Sequence, residues 1–146
     1  MSKQPTEEET LNALLVEVRV LESTYNELTA RQNLLERALV ENRAALDTLN
    51  GLDSGSGSQQ EVLMQIGGGA MLRSRPPSTD RVLVGVGASV VIEKPKTEAI
   101  AMIEERTREV EKTIMSIAGQ RNEIAQRLDS DRQVLNSMVS RREEEQ

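Results

Sequence analysis

Two long segments of this 146-residue chain carry apolar residues at alternating spacings of three and four, and no other feature constrains the fold as strongly. The first seam runs from Leu11 to Leu49, with Tyr25 as one of its apolar positions, and the second runs from Ile100 to Met138. This spacing places the apolar side chains on one narrow face of a helix, as in a coiled coil. Five seam positions are polar, namely Gln32, Asn42, Thr107, Arg121 and Asp131. The sequence therefore predicts two long helices that pair along their seams.

The two seams match in length, which favours antiparallel pairing with the chain folded back between them. Leu49 then lies near Ile103, and counting outwards places Gln32 beside Arg121. Two polar seam residues would share one layer, and each would gain a polar neighbour. This pairing also puts both chain ends at the open tip of the coil.

Local signals mark the helix ends. Thr6 and Glu9 have the spacing of a capping box, which predicts that the first helix begins there. Asn50 and Gly51 predict a left-handed stop at its end. The acidic residues 143–145 stand at the negative end of the second helix dipole, so this end is expected to fray.

Between the seams, the chain contains an internal repeat. The segment 62–72 recurs as 82–92, and each copy is an apolar run, a cluster of small residues and a second apolar run. Small residues that tolerate a positive φ between two apolar runs are typical of a β-hairpin. The repeat therefore predicts two hairpins, with strands at about 61–66, 70–75, 81–86 and 89–94.

Such hairpins would leave apolar faces and open edges in contact with water if they stood alone. Closing the sheet with strands from other subunits into a barrel would bury the faces and remove the edges. We therefore interpret this module as the assembly site. The residues expected to carry the assembly are apolar strand positions: Val62, Met64, Ile66, Val82, Val84, Val86, Val90 and Ile92.

The predicted fold class is α+β dominated by helix: a long antiparallel two-helix coiled coil joined at its base by two β-hairpins that form part of an oligomeric β-barrel. Four segments are expected in chain order: an N-terminal coiled-coil helix, a flexible Gly/Ser-rich linker, the hairpin module and a C-terminal coiled-coil helix, at 1–50, 51–60, 61–95 and 96–146.

Composition argues against several classes of function. The chain has no Cys and no His, so disulfides, thiolate chemistry and the usual zinc ligand sets are missing. A net charge of -6 argues against nucleic-acid binding. The glycine clusters lead into strands rather than helices, so they suit turns and not phosphate loops. We therefore expect no enzyme activity, cofactor or metal, and, without a signal peptide or membrane span, a cytoplasmic location.

Some apolar residues near the open tip lie outside the seams and are candidates for contact with a binding partner: Leu15, Val16, Val20, Val134 and Val139. Fraying of the tip would add the seam residues Leu11, Leu14, Leu135 and Met138. The alternative is that the non-seam residues only widen the coiled-coil interface.

The order of helix, two hairpins and helix, together with the segment 82–94, resembles the alpha-class subunits of archaeal-type prefoldins. Two departures concern the turns: Gln65 stands where a Pro is common, and Ala88-Ser89 replaces the more usual Ala-Gly. The resemblance implies a hexamer of two alpha-class and four beta-class subunits, with hairpins forming the platform. It also implies an ATP-independent holdase that captures unfolded polypeptides at the coil tips and delivers them to a group II chaperonin.

Two functions remain open at this point. The first is the holdase; the alternative is a structural coiled-coil assembly protein that holds a specific partner and has no general chaperone activity. Suppression of aggregation discriminates between them, because a holdase should protect several unrelated unfolded clients whereas a scaffold should protect none.

Overall fold

The computed structural model describes residues 6–52, 60–76 and 79–144. Along the chain, one long helix precedes four strands and a second long helix follows them, as the sequence predicts. Each predicted strand boundary lies within one residue of the observed one. The elements are α1 (Glu7–Gly51), β1 (Val62–Gly67), β2 (Ala70–Ser74), β3 (Arg81–Gly87), β4 (Val90–Pro95) and α2 (Lys96–Glu144). The α+β fold class with two antiparallel hairpins is therefore confirmed, while the barrel belongs to an assembly of several chains.

The chain divides into two compact units, and both helices contribute to each of them. Unit 1 contains Met1–Arg37 and Glu111–Gln146, and unit 2 contains Ala38–Val110. Unit 1 is thus built from helix alone within the described residues, whereas unit 2 also holds both hairpins.

The seam of unit 1 is covered along its whole length. Every seam position of α1 and α2 in this unit is half-buried or buried, and Val18, Ile117 and Leu128 are the most deeply covered. The predicted capping box begins α1: the Thr6 amide donates to Glu9 Oε2 at 2.8 Å, and the Glu9 amide donates to Thr6 Oγ1 at 3.3 Å. These contacts satisfy two amides that a helix start otherwise leaves unpaired.

A polar layer interrupts this seam at the predicted place. Arg121 Nη1 donates to Gln32 Oε1 at 2.8 Å, which confirms the antiparallel register inferred from the sequence. Arg121 Nη2 donates to the Tyr25 hydroxyl at 2.9 Å, and the guanidinium carbon lies 4.8 Å from the centroid of the Tyr25 ring. The tyrosine was expected only as an apolar seam residue, yet it contributes both a hydrogen-bond acceptor and an aromatic face to the cation.

Unit 2 is held together around the first residue of α2. The backbone amide of Lys96 donates to the Asp80 carbonyl at 2.7 Å, and its Nζ donates to the Leu52 carbonyl at 2.8 Å. One lysine therefore connects the residue after α1 with the residue before β3. Ala99, one turn into α2, is fully buried, and Thr79 is almost fully buried.

Each hairpin is an antiparallel pair with a register shift near its turn. The β1–β2 pairing runs from Val62 opposite Ser74 to Gly67 opposite Ala70. The β3–β4 pairing runs from Arg81 opposite Pro95 to Gly87 opposite Val90. Both pairings skip one residue of the first strand just before the turn, as in a β-bulge.

Both hairpins turn through two residues with positive φ. These residues are Gly68 and Gly69 in the first hairpin, at +59° and +78°, and Ala88 and Ser89 in the second, at +49° and +60°. Two consecutive positive φ values match the twist of the flanking strands. Ala88 and Ser89 thus adopt a conformation that residues with a Cβ atom seldom take, and the turn geometry survives the departure from the Ala-Gly pattern.

The predicted left-handed stop at Asn50-Gly51 is wrong. Gly51 is the last residue of α1, and its φ is not positive. α2 continues to Glu144, and the end expected to fray from 143 is helical as far as the structure describes it. Most of the predicted linker, at 53–59, and Pro77 and Ser78 between the hairpins lie outside the described residues.

The polar layer generates the first prediction. Replacing Arg121 by Ala removes the donor to both Gln32 and Tyr25 and leaves a gap in the seam. We expect the free energy of unfolding to fall by about 1–3 kcal/mol, measured by chemical denaturation. The double variant Gln32→Leu with Arg121→Leu restores an apolar layer and should be at least as stable as the wild type. If Arg121→Ala has the same free energy of unfolding as the wild type, the polar layer does not stabilise the folded chain.

Candidate functional surfaces

The apolar residues expected near the tip of the coil are exposed in unit 1. They form what we call the coil-end surface: Leu15, Val16, Val20, Val134 and Val139, with exposed fractions from 39% to 60%. Because they stand outside the seam on both helices, pairing of α1 with α2 does not cover them. The structure therefore leaves this surface free for contact with another molecule.

The four seam residues that were expected to join this surface are placed differently. Leu11, Leu14, Leu135 and Met138 are half-buried, so the closed coil covers much of each side chain. They can meet a client fully only if α1 and α2 separate locally. The coil-end surface is thus exposed in the closed coil, whereas these four seam residues are partly concealed.

Three further large apolar residues of the described helices are exposed outside the coil-end surface: Leu34, Val40 and Met115, at 65%, 66% and 75%. They were not predicted as contact residues, because only apolar residues near the predicted open tip were candidates. The same criterion, an apolar residue outside the seam, would have found them.

The hairpins carry a larger exposed apolar surface, which we call the hairpin surface: Leu63, Met64, Ile66, Met71, Leu72, Leu83, Val86, Val90 and Val91. Among the predicted assembly residues, Met64, Ile66, Val86 and Val90 belong to it. The others are covered to different degrees: Val62, Val82 and Ile92 are half-buried, and Val84 is buried.

Burial in the second hairpin separates its two faces. Val84 is directly opposite Ile92 on one face, and Val84 is only 6% exposed where it lines a groove with Leu49 and Ile103. Leu83 and Val91 stand on the other face, because successive side chains alternate along a strand, and both are more than half exposed. The second hairpin therefore packs one face within its own chain and offers the other.

A side-chain hydrogen bond fixes the second hairpin at its bulge. Arg106 Nη2 of α2 donates to the Gly85 carbonyl at 2.6 Å, beside the point where the strand register shifts. The bulge disrupts the ladder at this point, and the arginine supplies a partner to the backbone there.

The first hairpin is much less covered. Only Val62 and Ser74, which pair at its open end, are half-buried, whereas all other residues of β1 and β2 are exposed. Glu61 pairs with Arg73 at 3.0 Å and with Arg75 at 3.5 Å, and both contacts stay within the hairpin segment. Both faces of β1–β2 are thus available to a partner.

Neither surface contains groups arranged for catalysis. No cluster of three or more His, Cys, Asp or Glu within 6–52, 60–76 and 79–144 could hold a metal ion. The pKa of Arg108 is raised by its hydrogen bond with Glu105. Neither described helix has an apolar stretch long enough to cross a bilayer. What the surfaces offer chemically is apolar contact and unpaired strand edges.

Comparisons with known proteins agree on one family. The family model described as "Prefoldin subunit" matches residues 21–140. The chain is 26% identical over 132 residues to prefoldin subunit alpha of Nitrosopumilus maritimus, covering 90% of each chain. It is 31% identical over 128 residues to prefoldin subunit alpha of Methanoculleus marisnigri, covering 78% of this chain and 85% of the relative.

A solved structure has the same fold. The crystal structure of the prefoldin beta subunit from Thermococcus strain KS-1 superimposes with a TM-score of 0.61, covering 94% of this chain and 96% of the other. Sequence identity is 14%, so this similarity concerns the fold alone.

The hairpin surface generates the second prediction. Val90→Asp places a charge on an exposed strand residue, whereas Val84→Asp places one at a buried position. Val90→Asp should abolish association through the hairpins, seen as a lower mass by light scattering, with helix content unchanged. Val84→Asp should instead destabilise the chain itself by roughly 3–5 kcal/mol. If Val90→Asp keeps the wild-type mass, Val90 is not an assembly contact.

Proposed function

The chain belongs to the prefoldin family, and we propose that it is an alpha-class subunit of an ATP-independent holdase that captures unfolded polypeptides. The observation that carries this proposal is the presence of two separate exposed apolar surfaces on one chain, one on the helices of unit 1 and one on the hairpins. Two surfaces permit two tasks, so assembly does not have to compete with client binding.

Assembly is assigned to the hairpin surface. Its strands expose large apolar side chains, and each two-stranded sheet has open edges that could continue into a neighbouring chain. Pairing with strands of beta-class subunits would bury both features and close a barrel. The arrangement we propose contains two alpha-class and four beta-class subunits, as the family resemblance implies.

Client capture is assigned to the coil-end surface. Full burial of one Val or Leu side chain contributes roughly 1.5–3 kcal/mol, and the five exposed residues are already partly covered. A single chain should therefore hold a client weakly. Several chains on one platform raise the effective concentration of binding sites around the same client, so weak contacts add up while each one stays reversible.

Reversible contacts with the client also suit the next step that we propose, which is transfer of the client to a group II chaperonin. A client held by several weak contacts can be released one contact at a time to a competing binder. The net charge of -6 would limit association of empty assemblies with one another. The cytoplasmic location expected from the sequence stays a prediction.

The third prediction tests the coil-end surface. We expect the quadruple variant Leu15→Ser, Val16→Ser, Val134→Ser and Val139→Ser to lose most of its suppression of client aggregation. Its assembly mass and helix content should stay near the wild-type values, because none of the four residues is in the seam or in a strand. Light scattering of several unrelated denatured proteins diluted into buffer provides the measurement.

A matched control uses exposed apolar residues outside this surface. The double variant Leu34→Ser with Met115→Ser removes side chains that are 65% and 75% exposed, so it changes surface hydrophobicity in the same way. It should protect clients as well as the wild type does. An equal loss of client protection in both variants would mean that clients bind to exposed apolar residues along the helices generally. No protection by the wild type would favour a scaffold instead.

The fourth prediction concerns nucleotide. Capture by burial of apolar side chains needs no phosphate chemistry, so ATP should change neither client affinity nor the extent of protection. Both can be measured with and without ATP and Mg²⁺ using the purified assembly. Hydrolysis of ATP by that assembly at a rate above a buffer control would contradict the proposal.

A further inference from the structure

Asp131 is a polar seam residue of unit 1 that is not part of the layer formed by Arg121, Gln32 and Tyr25. It lies between Leu128 and Leu135 at successive seam positions of α2 and is half-buried. Its Oδ2 atom is buried and has no hydrogen-bond partner. An oxygen in this position has lost its contacts with water and gained none in return, so it destabilises the closed coil.

The arginines close to Asp131 in the sequence are engaged elsewhere. Arg127 pairs with Glu17, and Arg132 pairs with Glu22 at 2.6 Å. Both pairs connect α2 with α1 and are largely exposed, and neither includes Asp131. The seam residue therefore lies between two cross-helix ion pairs without sharing either cation.

Asp131 also divides the seam of unit 1 into unequal stretches. Counting in steps of three and four from the observed contact between Gln32 and Arg121 places Asp131 opposite Leu21. Only five seam residues lie beyond this layer toward the helix ends: Leu11, Leu14, Val18, Leu135 and Met138. We call residues 7–20 and 132–144 the coil end. A short stretch of seam beyond a destabilising layer opens at lower cost than the stretch before it.

We propose that Asp131 is a weak point in the seam that lets the coil end open, so that the half-buried seam residues can bind an apolar segment of an unfolded polypeptide. This inference rests on the proposed function and deepens it. In the closed coil, Leu11, Leu14, Leu135 and Met138 are covered by the opposite helix. Opening adds them to the residues that are permanently exposed, and the client replaces the contacts that the helices lose.

The test compares three variants of the full chain, each assembled with its beta-class partner. Asp131→Leu fills the layer with an apolar side chain, and Asp131→Asn removes the charge at nearly constant shape. Asn42→Leu is the matched control, because Asn42 is also a half-buried polar seam residue but belongs to unit 2. Amide hydrogen exchange reports opening, and light scattering of a denatured protein diluted into buffer reports client protection.

We expect Asp131→Leu to slow exchange of the coil-end amides about tenfold, the size expected when a buried unpaired group is removed. Client protection should fall several-fold in the same variant, although it has gained an apolar residue. Asp131→Asn should show smaller changes in the same direction, since its amide still lacks a partner. Asn42→Leu should slow exchange only near its own position and protect clients as the wild type does.

Three results would overturn the inference. Unchanged or faster exchange in Asp131→Leu would mean that Asp131 does not weaken the coil end. Slower exchange with undiminished client protection would mean that client binding does not require opening of the coil end. A loss of protection in Asn42→Leu equal to that in Asp131→Leu would mean that any stiffer coil has this effect. No protection by the wild-type assembly would refute the proposed function itself, which separates the two failures.

Discussion

The contact of Arg121 with Gln32 and Tyr25 specifies the pairing on which the rest of unit 1 depends. Leucine and isoleucine at repeated spacings pack comparably well in several registers, so the apolar seam alone does not select one. A shift of the helices would leave the guanidinium facing apolar side chains. The cost of burying this unpaired charge makes the shifted registers less stable than the observed one. The register in turn decides which apolar residues are covered and which face outwards.

This pairing gives the molecule very little interior. The buried apolar residues among those described are Val18, Val84, Ala99, Ile117 and Leu128, whereas many large apolar side chains remain exposed. A chain of this kind is stabilised by a narrow seam and by its partners rather than by a thick core. Exposed apolar surface on the hairpins is therefore the expected state of a separate subunit.

Much of this architecture follows from local patterns. The seams, the capping box at Thr6 and both hairpins depend on residues close in sequence, so spacing and turn chemistry were sufficient to predict them. The burial of Val84 was not predicted, because the apolar strand positions were all assigned to contacts with other subunits, and only packing against the helices shows that Val84 is covered within its own chain. The role of the Tyr25 hydroxyl was missed for a similar reason: at a seam position its ring alone explained the residue. Gly51 continues α1 because a glycine at a helix end permits a left-handed stop without requiring it.

The two hydrogen bonds of Lys96 have an evolutionary consequence. The Leu52 and Asp80 carbonyls are both held by this one residue, so the chain departs from α1 and returns to β3 at nearly the same place. The first hairpin is therefore an insert whose two ends are already joined by the surrounding structure. Deleting or acquiring such a segment would require only a short splice and would leave helix pairing untouched. A gene duplication of the kind suggested by the repeat of 62–72 in 82–92 would have a ready point of entry here.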